Sequence, residues 1–175
     1  IILGGSPIGV AHLTNRLQAV SEVPLLVGMD AELGLGKTLD SAITYPPSLA
    51  IGAVQDDQSV YQLGAEIARQ CKTLGIHINF APVMHVNSST SQLEVGYHSF
   101  GENFEKASAK GRAYMRGMED YGLIACYRHK TESQIAARHT AINASQDIVS
   151  YTAPVSSIPY ISYNQQRPLG TLVAR

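Results

Sequence analysis

Charge is scarce in this 175-residue chain: 15% of residues are charged and the formal net charge is -1. No Lys/Arg run is present, so no basic field exists to hold nucleic acid or an acidic membrane surface. Cysteine is scarce too. Cys71 and Cys126 lie far apart, each among apolar neighbours, which fits neither a disulfide framework nor a zinc knuckle. They read as two buried free thiols, packed as small hydrophobes. No apolar run is long enough to cross a bilayer, so no membrane segment is expected. An initiator Met is also missing. The chain opens on Ile1-Ile2-Leu3-Gly4-Gly5, as a strand cut in its middle would. It therefore reads as a fragment, and the lack of a leader carries no information on compartment.

What is present is ordinary globular material, 45% hydrophobic, enough for one domain with a core. Apolar spacing predicts helices near residues 9 to 22 (Leu13, Leu17, Val20), from Asp56 or Asp57 to Leu74 (Val60, Leu63, Ile67, Cys71, Leu74), and around Phe104 to Met118 (Phe104, Ala107, Gly111, Tyr114, Met118). Gly75 and Gly122 stand where C-cap glycines belong. Between them lie apolar strand candidates: Ile1 to Leu3, Leu25 to Met29, Ile76 to Phe80, and Leu123 to Tyr127. Strand and helix alternate, which implies right-handed βαβ units and a parallel sheet. The texture changes after residue 128. Thr131 with Gln134 has the form of a capping box opening a helix to about Ala144, and Tyr151 to Arg175 shows no period.

The chain is organised around Pro24 to Gly36. There an apolar strand stops at an acid, Asp30, and a second acid, Glu32, follows. In parallel sheets chemistry sits on the loops past the strands' C-terminal ends. A carboxylate at such a place either caps a turn or accepts sugar hydroxyls, two at once. Ala31 to Thr38 also fits a relaxed phosphate-loop pattern, which would make the chain a nucleotide binder. Two facts oppose that. A phosphate loop runs straight into a helix whose N–H groups hold the anion, whereas Tyr45-Pro46-Pro47 leaves little room for one. The loop also places Asp30 and Glu32 where phosphate would come close.

Eight segments in order resemble the N-terminal barrel domain of glycoside hydrolase family 3, within its β-N-acetylhexosaminidase branch. They are Leu13 to Gln18, Pro24 to Glu32, Leu49 to Asp56, Ala68 to Lys72, Gly75 to Val83, Ser99 to Asn103, Ala109 to Gly111, and Ala125-Cys126. The resemblance covers about residues 1–129, leaving 130–175 as an unmatched tail, helix then irregular. It implies an α/β fold, a partial (β/α)8 TIM-type barrel with parallel strands alternating with helices. It also implies a retaining β-N-acetylhexosaminidase that removes terminal N-acetylglucosamine, using a carboxylate nucleophile and, in this branch, a His paired with an Asp as proton donor.

By that resemblance Asp30 matches the family's substrate-binding Asp, and Glu32 the acid after it, read as structural. His129 matches the His of a Lys-His pair that contacts the sugar. Arg128 stands in place of the Lys, and a guanidinium fork is not a point charge. His98 replaces the family's Arg before Ser-Phe-Gly, Thr38 the Arg after the acid loop, and His85 the Asp after Ala-Pro-Val. The proposed substrate-binding set is Asp30, Arg128, His129 and His98, with no catalytic residue assigned. No Asp-x-His occurs anywhere in the sequence, and the surroundings of Asp147 do not match the family's nucleophile. The chain alone is therefore expected to bind a sugar or oligosaccharide bearing N-acetylglucosamine without hydrolysing it, either as part of an enzyme or as a sugar-binding remnant. No cofactor is expected. The resemblance would put His85, His98 and His129 at successive strand ends, but no H-E-x-x-H helix or tight His/Cys cluster is present, and no metal is assigned. His12 reads as a solvated helix residue, His77 as a packed strand residue, and His139 as a surface residue.

Overall fold

The computed structural model describes residues 1–84 and 97–128, with the backbone of 149–151 and 161–163. Helix α1 (Pro7–Val20) begins with Pro7 in its first turn, and the Ser6 hydroxyl accepts from Gly9 N–H at 3.2 Å. Strand β1 (Gly28–Met29) follows, then a short 3-10 turn at Leu35–Lys37 and the five-residue helix α2 (Ser48–Gly52). Helix α3 (Asp57–Thr73) is capped by Asp56, whose carboxylate accepts from Gln58 and Ser59 N–H. It is followed by β2 (Ile78–Asn79), α4 (Phe104–Asp120) and β3 (Ile124–Ala125).

The three strands pair in parallel in the order β1-β2-β3, with Gly28, Ile78 and Ile124 in register and Met29, Asn79 and Ala125 beside them. Ile2 adds a parallel bridge to Met29, so four segments of chain run side by side in one direction. Parallel strands with helices between them are the α/β pattern the sequence predicts. The described strands and helices form part of a TIM-type barrel.

Met29, Asn79 and Ala125, in register, are fully buried. Asn79 reaches the Met118 sulfur, so α4 covers this face. Helices α3 and α4 pack closely through two glycines. A Cβ added at Gly64 would run into the Tyr114 carbonyl, and one at Gly117 into the Tyr61 carbonyl. Lys110, itself buried, crosses between the same helices to Asp57 at 2.6 Å. At the end of α3, Gly75 takes φ 72°, and the buried Thr14 of α1 donates to the Leu74 carbonyl at 2.9 Å. A side chain at residue 75 would meet both the strained φ and Thr14.

The structure departs from the sequence reading in three places. The Leu13-Leu17-Val20 stripe does locate a helix, but not its buried face. Val20 is 79% exposed and Leu13 45%, while Val10 and Thr14 are the buried positions. The covered side of α1 is the one carrying Thr14, which meets the Leu74-Gly75 turn. The strand predicted from Leu25 narrows to Gly28–Met29, because the Gln18 side chain takes both backbone groups of Leu25 and leaves them nothing for a ladder. In the tail, β4 (Val149–Tyr151) and β5 (Ile161–Tyr163) pair antiparallel, where no regular structure was expected. The helix predicted from Thr131 falls outside the described residues. Among the described residues no helix is long and apolar enough to cross a membrane.

Gly117→Ala is expected to lower stability by about 2 kcal/mol through overpacking, read from urea denaturation; an unchanged midpoint would mean α3 and α4 can move apart freely. A second expectation concerns His77, whose Nδ1 accepts from Val27 N–H at 3.2 Å. Burial pushes its pKa below the usual histidine value, with Lys72 adding to the effect. The unfolded chain then takes up the proton first. This stabilisation is present above about pH 6.5 and is lost as pH falls toward the folded-state value. Stability of the His77→Gln variant should lose this acid-side slope relative to wild type.

Candidate functional site

The loop Asp30-Ala31-Glu32 leaves the C-terminal end of β1 with its backbone fixed at each residue. The Asp30 carbonyl accepts from the Thr38 hydroxyl at 2.6 Å. Ala31 is held on both sides by Asn79: its N–H donates to Oδ1 at 2.8 Å, and its carbonyl accepts from Nδ2 at 3.2 Å. The Glu32 carbonyl accepts from the Tyr114 hydroxyl at 2.9 Å. Burial, with the Glu32 and Asp30 charges adding to it, raises the Tyr114 pKa well above that of a free phenol, so the hydroxyl stays protonated and can donate. Three elements thus determine where two carboxylates point: the turn after β1, strand β2 and helix α4.

The carboxylates then gather cations. Glu32 is almost wholly buried, its side chain 1% exposed. It receives Lys37 Nζ at 2.7 Å, His98 Nδ1 at 3.0 and 3.1 Å, and the Ser48 hydroxyl at 3.3 Å. Since a carboxylate only accepts, His98 must carry its hydrogen on Nδ1. Asp30, at 30% exposure, meets Lys37 Nζ at 3.1 Å and Arg128 Nη2 at 2.8 Å. Arg128 arrives there because the Ala81-Pro82-Val83 end of β2 pairs with it: Arg128 N–H donates to the Pro82 carbonyl, and its own carbonyl accepts from Met84 N–H. The result is a half-open cluster of two acids, two fixed cations and an imidazole at one end of the parallel sheet. Its exposed carboxylate can accept hydrogen bonds from a polyol, and its buried one cannot.

Of the sequence-derived set, Asp30 and Arg128 touch directly, and His98 joins them through Glu32. His129 lies outside the described residues, as do His85, His139 and Asp147. Glu32, read as structural, is the hub of the cluster. The phosphate-loop pattern would give Lys37 to a phosphate, whereas the structure spends its ammonium on the two acids. Lys37 ends a three-residue 3-10 turn rather than starting a helix, so the geometry gives the phosphate-loop reading no support. The sequence gives Ser48 and Asn79 no role, and Tyr114 only a place in a helix stripe. Asn79 could have been singled out: a lone amide inside an apolar strand must be hydrogen-bonded. Tyr114, 82 residues from Glu32, leaves no such trace. The Cys126 thiol, beside this site in sequence, is pushed up to about 12 by burial, and Cys71 likewise. Neither is a nucleophile at neutral pH. Among the described residues no group of three or more His, Cys, Asp or Glu could hold a metal.

The sequence and fold of the chain match proteins of one family. The sequence model described as Glycosyl hydrolase family 3 N terminal domain matches residues 8–147. Beta-hexosaminidase LpqI of Mycobacterium tuberculosis is 30% identical over 131 residues, 74% of this chain and 30% of the relative. A Beta-hexosaminidase of Nitrosomonas eutropha is 26% identical over 154 residues, 84% of this chain and 44% of the relative. Among solved structures, the glycoside hydrolase family 3 beta-N-acetylglucosaminidase from Paenibacillus sp. superposes with a TM-score of 0.65 at 30% identity, over 73% of this chain and 27% of that one. The chain spans less than half the length of these relatives.

Asn79→Ala removes both clamps on Ala31 and strands a buried N–H and carbonyl. A loss of about 3 kcal/mol in unfolding free energy is expected, against about 1 kcal/mol for Tyr114→Phe. Chemical denaturation of the two variants checks the order, and equal losses would mean that Asn79 does not anchor the loop.

Proposed function

The chain belongs to glycosyl hydrolase family 3, its relatives lying on the β-hexosaminidase branch, and from that premise we propose that it forms the part of a barrel mouth that binds a terminal β-linked N-acetylglucosamine. Asp30 accepts sugar hydroxyls, and Arg128 and Lys37 hold its charge in place. His129, next in sequence to Arg128, completes the sugar contact, and His98 supports the cluster through Glu32. The observation that carries this reading is the partly exposed Asp30 carboxylate beyond β1, fixed by Arg128 from the chain beyond β3, across β2, at the C-terminal end of the sheet, where such barrels place their chemistry.

Cleavage with retention needs a carboxylate nucleophile and a proton donor on either side of the glycosidic bond. We assign neither role among the described residues. The two acids at the site are both committed to cations, and Glu32 is too buried to reach a glycosidic carbon. On this reading the chain by itself acts as a sugar-binding half-site.

The test is saturation-transfer NMR with N-acetylglucosamine, alongside chromophore release from an aryl N-acetylglucosaminide. Weak binding is expected, weakened about tenfold further by Asp30→Asn, with no chromophore released. Turnover by the chain alone, or binding untouched by Asp30→Asn, would overturn the reading.

A further inference from the structure

The two oxygens of the Asp30 carboxylate are not equivalent. Oδ2 takes both cations, Arg128 Nη2 at 2.8 Å and Lys37 Nζ at 3.1 Å. Oδ1 receives, among the described residues, only the Glu32 amide N–H, at a long 3.3 Å. Among the described residues one oxygen is saturated and the other is nearly free.

Lys37 reaches this position from the 3-10 turn, not from a strand or a long helix. Its four-carbon stem carries several free rotors, and an exposed Lys–Asp contact alone would not hold it still. What holds it is Glu32. The Nζ–Oε2 distance is 2.7 Å, shorter than that to Asp30, and the Glu32 side chain is buried and braced by Ser48 and His98. A buried carboxylate without a partner is costly, so Glu32 keeps Lys37 folded inward over Asp30.

The geometry points to Lys37 as a positioning residue: anchored on Glu32, its ammonium occupies Asp30 Oδ2 and leaves Oδ1 as the single oxygen offered to a sugar hydroxyl. The inference rests on the sugar-binding reading above and sharpens it. Asp30 then recognises one hydroxyl, not the two that a free carboxylate can take, so a sugar lacking that one hydroxyl loses the whole contact. The lysine that a phosphate-loop pattern would assign to an anionic ligand serves instead to orient a protein carboxylate.

Two measurements on the full chain test it: nitrogen-15 spectra of the lysine ammonium groups, and titration with N-acetylglucosamine. The Lys37 ammonium should be visible and protected from exchange with water in wild type, and lost in Glu32→Gln. Lys37→Met should weaken binding about tenfold or more with the circular dichroism spectrum retained, and Lys37→Arg should restore most of it. If Lys37→Met does not fold, Glu32→Gln and Lys37→Arg decide: the first must weaken binding and the second must not. An ammonium signal indifferent to Glu32→Gln, or binding through Asp30 that ignores Lys37→Met, overturns the positioning role alone. A wild-type chain that shows the Glu32-dependent signal yet binds no N-acetylglucosamine overturns the sugar-binding reading, and the role with it.

Discussion

Asn79 is the residue through which the sheet and the site depend on each other. Its amide lies fully buried on β2, in register with Met29 and Ala125, and gives both its acceptor and a donor to the backbone of Ala31. A buried amide is destabilising unless paired, and so are buried backbone groups. The parallel ladder brings the two needs together. With Ala31 fixed, the residues on either side of it, Asp30 and Glu32, have little freedom left. The same side chain also touches Met118 of α4, so the packing of the helix layer bears on where the carboxylates sit.

The charges then sort by burial. Glu32, deep in the protein, cannot remain charged without partners, because desolvation would exceed any single attraction. It gathers an ammonium, a hydroxyl and an imidazole. Asp30, at the rim, keeps water on one side and needs less. Two fixed cations, Lys37 and Arg128, face the two acids. The Arg128 guanidinium comes from a strand end and the Lys37 ammonium from a long side chain on a 3-10 turn, so they constrain the site differently. Arg128 is carried by the ladder with Val83, whereas Lys37 is carried by Glu32. A deep acid that organises a shallow one is a reasonable way for an open site to keep one carboxylate oriented at low structural cost.

Much of the fold is legible in the sequence because its causes are local. Asp56 caps α3, Gly75 and Gly122 end the two long helices, and the buried stripe from Val60 to Cys71 has a helical period. Where the causes are not local, the sequence is misleading or silent. The apolar stripe of α1 marks a helix but points away from the core, since which side of a helix is covered depends on its neighbours. The strand before Asp30 is short because Gln18, seven residues upstream of Leu25, takes the backbone groups the ladder would have used. At the site, Asp30 could be read from its place at the end of an apolar run. Arg128 and His98 could be read from family resemblance. Neither route shows that Glu32, set aside as structural, is the centre of the cluster, nor that Lys37 belongs to it. Ion pairs across loops have no period, and a lysine following glycines looks the same whether it faces a phosphate or two carboxylates.

Lys37 therefore separates two readings that the sequence leaves open, and it does so by electrostatics rather than by motif. A phosphate loop concentrates N–H groups and a positive charge around an anion brought in from solution. Here the anions are already part of the chain, and Asp30 and Glu32 neutralise the lysine before any ligand arrives. A phosphate entering the same space would meet two carboxylates and no helix start. A neutral polyol would meet an oriented carboxylate oxygen with a cation behind it. Two carboxylates against two fixed cations leave the cluster with a net charge near zero among the described residues, which offers an incoming anion little attraction.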